Sequence, residues 1–201
     1  LQTGLARIAN LATRFGLPKP ERYPSLALGT EEVTPLQLAS AYATFVNEGR
    51  HVETRAITSI GEPPGTHELI NETQVVNPTT AYMITNMLQS VIDRGTARKA
   101  RGAVKGSAVA GKTGTAQKVE HGTYSHSKVL ASFVGYVPAE APQLAIVVIV
   151  DEPRVAKWGG EAAAPVFKRT AQQALYYLQV PSQQAQTISL DTALNPIPAP
   201  P

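Results

Sequence analysis

The chain has 201 residues, a formal net charge of +3 and no cysteine. That length fits one ordinary domain, and so mild a charge does not mark a nucleic-acid binder. Without cysteine there is no disulfide framework and no thiolate metal site, and no stretch is long and apolar enough to span a bilayer.

No signal peptide is visible. The chain opens on Leu1-Gln2-Thr3 rather than on Met, so we expect a piece of something larger. Leu5, Ile8, Ala9, Ala12 and Phe15 recur at helical spacing, and Gly16 is a suitable stop, which predicts a helix within residues 1–15. Pro18, Pro20 and Pro24 make the next stretch a loop. Thr34-Pro35-Leu36-Gln37 is a helix start: Thr34 caps, Pro35 suits the first helical position and Gln37 completes a capping box. Leu38, Ala39, Tyr42, Ala43 and Val46 are expected to form the buried face of that helix, and Gly49 to end it. Residues 50–70 hold β-prone pieces broken by Gly61-Glu62-Pro63-Pro64-Gly65, which predicts an irregular hairpin. Asn77-Pro78 opens another helix, with Ala81, Ile84, Met87, Leu88, Val91 and Ile92 on one face and Gly95 as its stop.

The central stretch is Val109-Ala110-Gly111-Lys112-Thr113-Gly114-Thr115-Ala116-Gln117. Its flanks are small or β-prone, which predicts a strand. Gly111 and Gly114 remove side chains where another backbone can come close. Lys112 supplies a point charge, and Thr113 and Thr115 supply hydroxyls. The set suits an anionic, peptide-like ligand along a strand edge. Residues 120–127 then read as a polar turn, 129–137 as a strand, 138–142 as a turn, and 144–150 as a strand buried on both faces. Gly159-Gly160 reads as a flexible break, and residues 163–178 as a closing helix with Pro165 in its first turn. From Pro181 the chain is rich in Gln, Ser and Pro, so 181–201 reads as a linker or disordered tail. Three strands in an antiparallel meander, with helices around them, predict an α+β fold with an antiparallel sheet flanked by helices.

The same stretch satisfies two motifs. Gly111-Lys112-Thr113-Gly114 holds a Lys-Thr-Gly box. Residues 106–113 also match the G-x-x-x-x-G-K-[ST] pattern of a nucleotide-binding P-loop, and 144–150 followed by Asp151-Glu152 mimics the carboxylate-bearing strand that accompanies one. A P-loop requires a long helix beginning at its lysine, yet Gly114 follows at once. Elsewhere, Arg94, Arg98, Lys99, Arg101 and Lys105 cluster without interleaved aromatics, as in a solvated loop near an anionic ligand rather than a nucleic-acid patch. His51, His67, His121 and His126 show no metal-ligand spacing, and neither a metal nor a cofactor is expected.

Five blocks in order resemble the C-terminal half of a penicillin-binding protein transpeptidase domain. They are Leu28-Gly29-Thr30 through Leu38-Ala39; Gly95-Thr96-Ala97; Ala110 through Ala116; Ala131-Ser132-Phe133-Val134-Gly135-Tyr136 with Pro138; and Gly159-Gly160 with Ala164-Pro165-Val166-Phe167-Lys168. The resemblance covers residues 1–180, so it places the tail at 181–201 outside the domain. Val148 through Pro153 is nearer to the monofunctional enzymes (class B), whereas Leu28 through Leu38 also resembles the bifunctional ones (class A), and both subclasses stay open. The implied fold is part of the serine β-lactamase-like transpeptidase fold.

The resemblance implies acyl transfer on peptidoglycan. In the family a serine in an S-x-x-K motif attacks the penultimate D-Ala carbonyl of a stem peptide, terminal D-Ala leaves, and a neighbouring amine completes the cross-link. β-Lactams mimic D-Ala-D-Ala and trap that serine. Carried onto this chain, Lys112 adds positive potential and orders proton transfer, and the Thr113 and Thr115 hydroxyls bind the terminal carboxylate. The Thr115 backbone N–H is half of the oxyanion hole, and Gly114 lets substrate lie against the strand. Outside this context Thr115 reads as an ordinary outward strand threonine. The implied location is the extracytoplasmic face of a bacterial inner membrane, with any anchor outside this chain and other cell-wall synthesis proteins as partners.

Departures from the pattern are as informative. The chain holds no S-x-N. Its one S-x-x-K, Ser125-His126-Ser127-Lys128, comes after the box rather than at a helix start before it. Ser125 is therefore read as coincidence in a turn, and Lys128 as a solvated loop charge. The nucleophile is expected on a missing N-terminal half of the same domain, and this chain alone is expected to be inactive. The competing expectation is a non-catalytic binding or scaffold module that keeps a carboxylate site.

Overall fold

The computed structural model describes residues 4–56, 71–103 and 105–180. They form two compact units, the first ending at Met87 and the second beginning at Leu88.

In the first unit, α1 (Leu5–Arg14) closes at Phe15, and Gly16 follows at φ 79°, the left-handed stop that its position predicts. A short 3-10 turn (Pro24–Leu28) leads to α2 (Pro35–Val46). The capping box is present in full. Gln37 N donates to Thr34 Oγ1 at 3.2 Å, and Thr34 N donates to the Gln37 side-chain oxygen at 2.9 Å. The buried residues of α2 are Ala41 and Thr44, while Leu38, Ala39, Tyr42, Ala43 and Val46, expected as the buried face, are half-buried. The helix stops at Val46 rather than running to Gly49; Glu48 (φ 52°) and Gly49 (φ 83°) turn the chain into β1 (Arg50–Val52). Its partner is the antiparallel β2 (Glu72–Gln74), with Arg50 opposite Gln74. The remainder of the hairpin expected over 50–70 lies, from residue 57, outside the described residues. Phe15, Ala41 and Val75 form this unit's apolar cluster, with the Phe15 and Phe45 rings 5.1 Å apart.

The division between the units falls inside α3 (Pro78–Asp93). Asn77 caps it by accepting from Thr80 N at 2.7 Å. It ends two residues before Gly95.

In the second unit a 3-10 turn (Arg98–Ala100) precedes β3 (Ala110–Glu120), β4 (Thr123–Val137) and β5 (Leu144–Asp151), an antiparallel meander in the order β3-β4-β5. The short α4 (Gly159–Ala162) and α5 (Ala164–Tyr177) close the chain, with a proline in the first turn of α5. Side chains alternate across a strand. One face of the sheet thus presents Phe133 and Val137, beside Leu144, Ile146, Val148 and Val150, to Phe167, Ala171 and Leu175 of α5. The Phe133 and Phe167 rings meet edge to face at 4.6 Å. Burying two such rings contributes roughly 2–3 kcal/mol each from lost water contact. The sequence-derived α+β architecture is the one observed.

Three local expectations are corrected. The turn expected over 120–127 shrinks to His121 (φ 53°) and Gly122 (φ 82°), between β3 and β4. Two consecutive left-handed residues match the twist of the flanking strands, so after a register shift between Gln117 and Val119 pairing resumes next to the tip, with Glu120 opposite Thr123. Among the described residues β5 pairs with β4 alone and is half-buried along most of its length, rather than buried on both faces. Its continuous apolar run reflects β-propensity on top of burial. Gly159-Gly160 is a buried helix start, not a flexible break.

Candidate active site

The Lys-Thr-Gly box lies on β3, and all of its partners lie in the second unit. Lys112, Thr113, Gly114 and Thr115 pair with Val134, Phe133, Ser132 and Ala131 of β4. Among the described residues β3 pairs with β4 alone, so its other edge carries no strand. Alternation places Thr113 and Thr115 on the face that α4 and α5 cover, and Lys112 and Gly114 on the opposite face. Lys112 is exposed, and its Nζ donates to the Thr113 carbonyl at 2.9 Å. The ammonium is thus folded along the strand beside the Thr113 backbone.

Each hydroxyl of the box has a defined neighbour. Thr113 Oγ1 and Thr96 Oγ1 are 2.9 Å apart. Thr115 Oγ1 accepts from the Gly159 N–H at 3.1 Å, satisfying one of the orphan donors at the start of α4. A hydroxyl has one donor and two acceptor sites, so Thr115 in this arrangement keeps its own proton for another acceptor.

Glycine is required here by crowding. A Cβ on Gly159 would run into the Ser132 and Gly114 carbonyl oxygens, and one on Gly160 into the Thr96 carbonyl. A Cβ on Gly114 would meet Ser132 Oγ, and one on Gly111 would lie 2.5 Å from the Phe133 ring. The sequence suggested that Gly114 admits an incoming backbone. What uses its missing side chain in this structure is the Ser132 hydroxyl of the neighbouring strand, while α4 presses on its carbonyl. Thr96 and Ser132 were visible in the sequence only as members of matching blocks, and Gly159-Gly160 beyond that only as an expected flexible break. No local spacing joins them to Lys112, because three separate chain excursions bring them together.

The strand expected at the box is present, and one further sequence expectation changes. Lys112 sits within a strand and no helix begins at it. The backbone of residues 110–113 is engaged in pairing with β4, so residues 106–113 do not form a phosphate-cradling loop. Ser125 is buried on β4 rather than in a turn, where its Oγ accepts from Lys128 N at 3.1 Å. Lys128 is also on β4, and its Nζ pairs with Glu120. That contact, then a hydrogen bond from Ser125, holds the Glu120 carboxyl below its ordinary range, while Glu120 raises Lys128. With its ammonium held by a carboxylate, Lys128 is not placed as a base for Ser125.

Residues 6–172 match the model of the penicillin binding protein transpeptidase domain. The chain belongs to the penicillin-binding protein transpeptidase family. It is 35% identical over 161 residues to stage V sporulation protein D of Bacillus subtilis, covering 77% of this chain and 24% of the relative. It is 34% identical over 184 residues to the "Probable peptidoglycan D,D-transpeptidase PbpC" of Pseudomonas aeruginosa, covering 90% of this chain and 29% of that protein. The crystal structure of penicillin-binding protein 3 from Mycobacterium tuberculosis, complexed with aztreonam, superposes with a TM-score of 0.76 at 28% identity, over 89% of this chain and 48% of that one. The chain thus spans about a quarter of the length of these curated relatives. Among the described residues no helix is long and apolar enough to cross a membrane.

Proposed function

We propose that this chain is the Lys-Thr-Gly portion of a serine D,D-transpeptidase that cross-links peptidoglycan stem peptides and is acylated by β-lactams. The observation that carries this reading is the row Lys112-Thr113-Gly114-Thr115 on β3, whose outer edge carries no strand among the described residues, with one cation and two oriented hydroxyls within four residues. The names of the relatives support it, as does the aztreonam bound to the M. tuberculosis protein. Residues 1–180 belong to the transpeptidase domain and 181–201 to a tail.

The chemistry follows from the donor set. A D-Ala-D-Ala terminus carries one carboxylate. Thr113 and Thr115 donate to it, and Lys112 stabilises the negative charge nearby. A serine Oγ, supplied by the other half of the domain, attacks the penultimate D-Ala carbonyl. The C–N bond breaks, the terminal D-Ala leaves as an amine with the serine's proton, and an ester remains on the serine. An amine from a second stem peptide attacks that ester, forms the new amide and returns the proton. The oxyanion formed in each step accepts from the Thr115 backbone N–H; one such donor typically supplies about 3–4 kcal/mol. The reaction takes place at the outer face of the bacterial inner membrane. This chain alone, without the serine, is inactive.

The test is intact-mass spectrometry after incubation with benzylpenicillin, on this chain alone and on the protein that joins it to its serine-bearing half. The expected adduct forms on the joined protein, at a serine outside this chain. An adduct on Ser125 would overturn the assignment of the nucleophile. No adduct on either would favour the binding-module alternative.

A further inference from the structure

We propose that Thr96 is a positioning residue that sets the direction of the Thr113 hydroxyl proton, and so governs affinity for carboxylate-bearing ligands. The inference rests on Thr113 being the carboxylate donor proposed above. Thr96 lies 17 residues before Thr113, on the connection out of α3, yet their hydroxyl oxygens are 2.9 Å apart. Either oxygen can be the donor in the free protein.

An anion resolves that ambiguity. A carboxylate is acceptor-only, so a Thr113 hydroxyl bound to it must spend its proton there. The Thr113 oxygen then has only lone pairs to offer Thr96, and Thr96 must donate. The two bonds form one directed chain, from Thr96 to Thr113 to the ligand. A hydroxyl that accepts one hydrogen bond donates a stronger one.

Independent features hold Thr96 in place. The next residue, Ala97, is fully buried, and its N–H donates to the Val91 carbonyl at 3.3 Å. The preceding Gly95 donates to that same carbonyl at 3.1 Å. Gly160 of α4 packs so tightly on the Thr96 carbonyl that no side chain fits between, and its missing Cβ would also lie 3.4 Å from Thr113 Cγ2. One helix start thus clamps both members of the pair. The same connection adds positive charge: Arg94, Arg98, Lys99 and Lys105 are exposed on it, while Arg101 faces Asp93.

The experiment measures acylation of the protein that joins this chain to its serine-bearing half, with benzylpenicillin, separating the pre-acylation dissociation constant from the acylation rate constant. Thr96→Val keeps the shape and removes the hydroxyl. The expected result is a dissociation constant raised about three- to ten-fold, the scale of one neutral hydrogen bond, with the acylation rate constant nearly unchanged. Thr96→Ser restores the wild-type value. A thermal melt accompanies each variant; if Thr96→Val does not fold, Thr96→Ala is compared with Thr96→Ser on the same constants. An unchanged dissociation constant in the hydroxyl-free variant would overturn the inference, as would equal losses in the serine variant. Wild-type protein that forms no adduct would instead overturn the functional reading, and the inference with it.

Discussion

At Gly160 the space a side chain needs is already taken by the Thr96 carbonyl, and backbone cannot swing aside as a long side chain can. Gly160→Ala is therefore expected to destabilise the protein by about 1–3 kcal/mol, the usual cost of overpacking. It also pushes Thr96 away from Thr113. Chemical denaturation measures the first effect. The β-lactam dissociation constant reads the second, and is expected to rise in the same direction as for Thr96→Val. Gly114→Ala is a milder case, because the atom in its way is the Ser132 hydroxyl, which can rotate. That Lys112, Thr113 and Thr115 lie together on one strand was legible locally, since their flanks are small or β-prone. The couple between Thr96 and Thr113 was not legible, because nothing local in either segment points to the other.

The elements carry their own tests. Thr34 caps α2 with a reciprocal bond to Gln37, and Thr34→Ala is expected to cost about 1 kcal/mol, measured by chemical denaturation. At the far end of the sheet, Lys118 Nζ reaches Asp151 at 2.7 Å and Glu152 at 2.9 Å, linking the outer strands β3 and β5. Hydrogen bonds to Asp151 first, then Glu152, raise Lys118 above its ordinary value of 10.5, while Lys128 lowers Glu120 below its ordinary 4.5. The signs follow by linkage. A lowered carboxylate stabilises the fold above its unfolded value, and that contribution is lost as pH falls through the folded one. A raised lysine stabilises below its unfolded value, and that contribution is lost as pH rises through the folded one. Glu120→Gln should therefore flatten the acid side of a melting-temperature profile, below about pH 4.5, and Lys118→Met the alkaline side, above about pH 10.5. The opposite assignment of limbs would show that these pairs do not titrate as described. The starts of α2 and α3 were legible because caps are local chemistry, whereas the start of α4 at Gly159 has no side-chain cap to announce it. The short hairpin turn at His121-Gly122 was missed because non-glycine left-handed residues are not announced by composition.

For the molecule as a whole, exposed apolar side chains decide how the chain behaves by itself. Tyr82, Met83 and Met87 of α3 are 70%, 52% and 59% exposed, and Leu28 and Leu36 are 85% and 61% exposed. Together with the edge of β3 that carries no strand among the described residues, these surfaces suit a chain that is covered by further structure. On the proposed reading that cover is the serine-bearing half of the domain. Joining the two is expected to raise the melting temperature by several degrees and to suppress self-association, read by calorimetry and light scattering. A sharp, concentration-independent transition of the 201-residue chain as a monomer, unchanged on joining, would refute it.

Sequence by itself determined the class of fold, the family and the strand that bears the box. Those depend on periodicity, capping and short contiguous motifs, all of which act within a few residues. Only the tertiary structure showed which backbone β3 pairs with: residues 110–113 are committed to β4, in keeping with the strand read from the sequence. It also turned Ser125 inward beside a lysine already paired with Glu120. And it brought Thr96, Thr113, Thr115 and the two glycines of α4 to one point, through close packing between segments far apart in the chain.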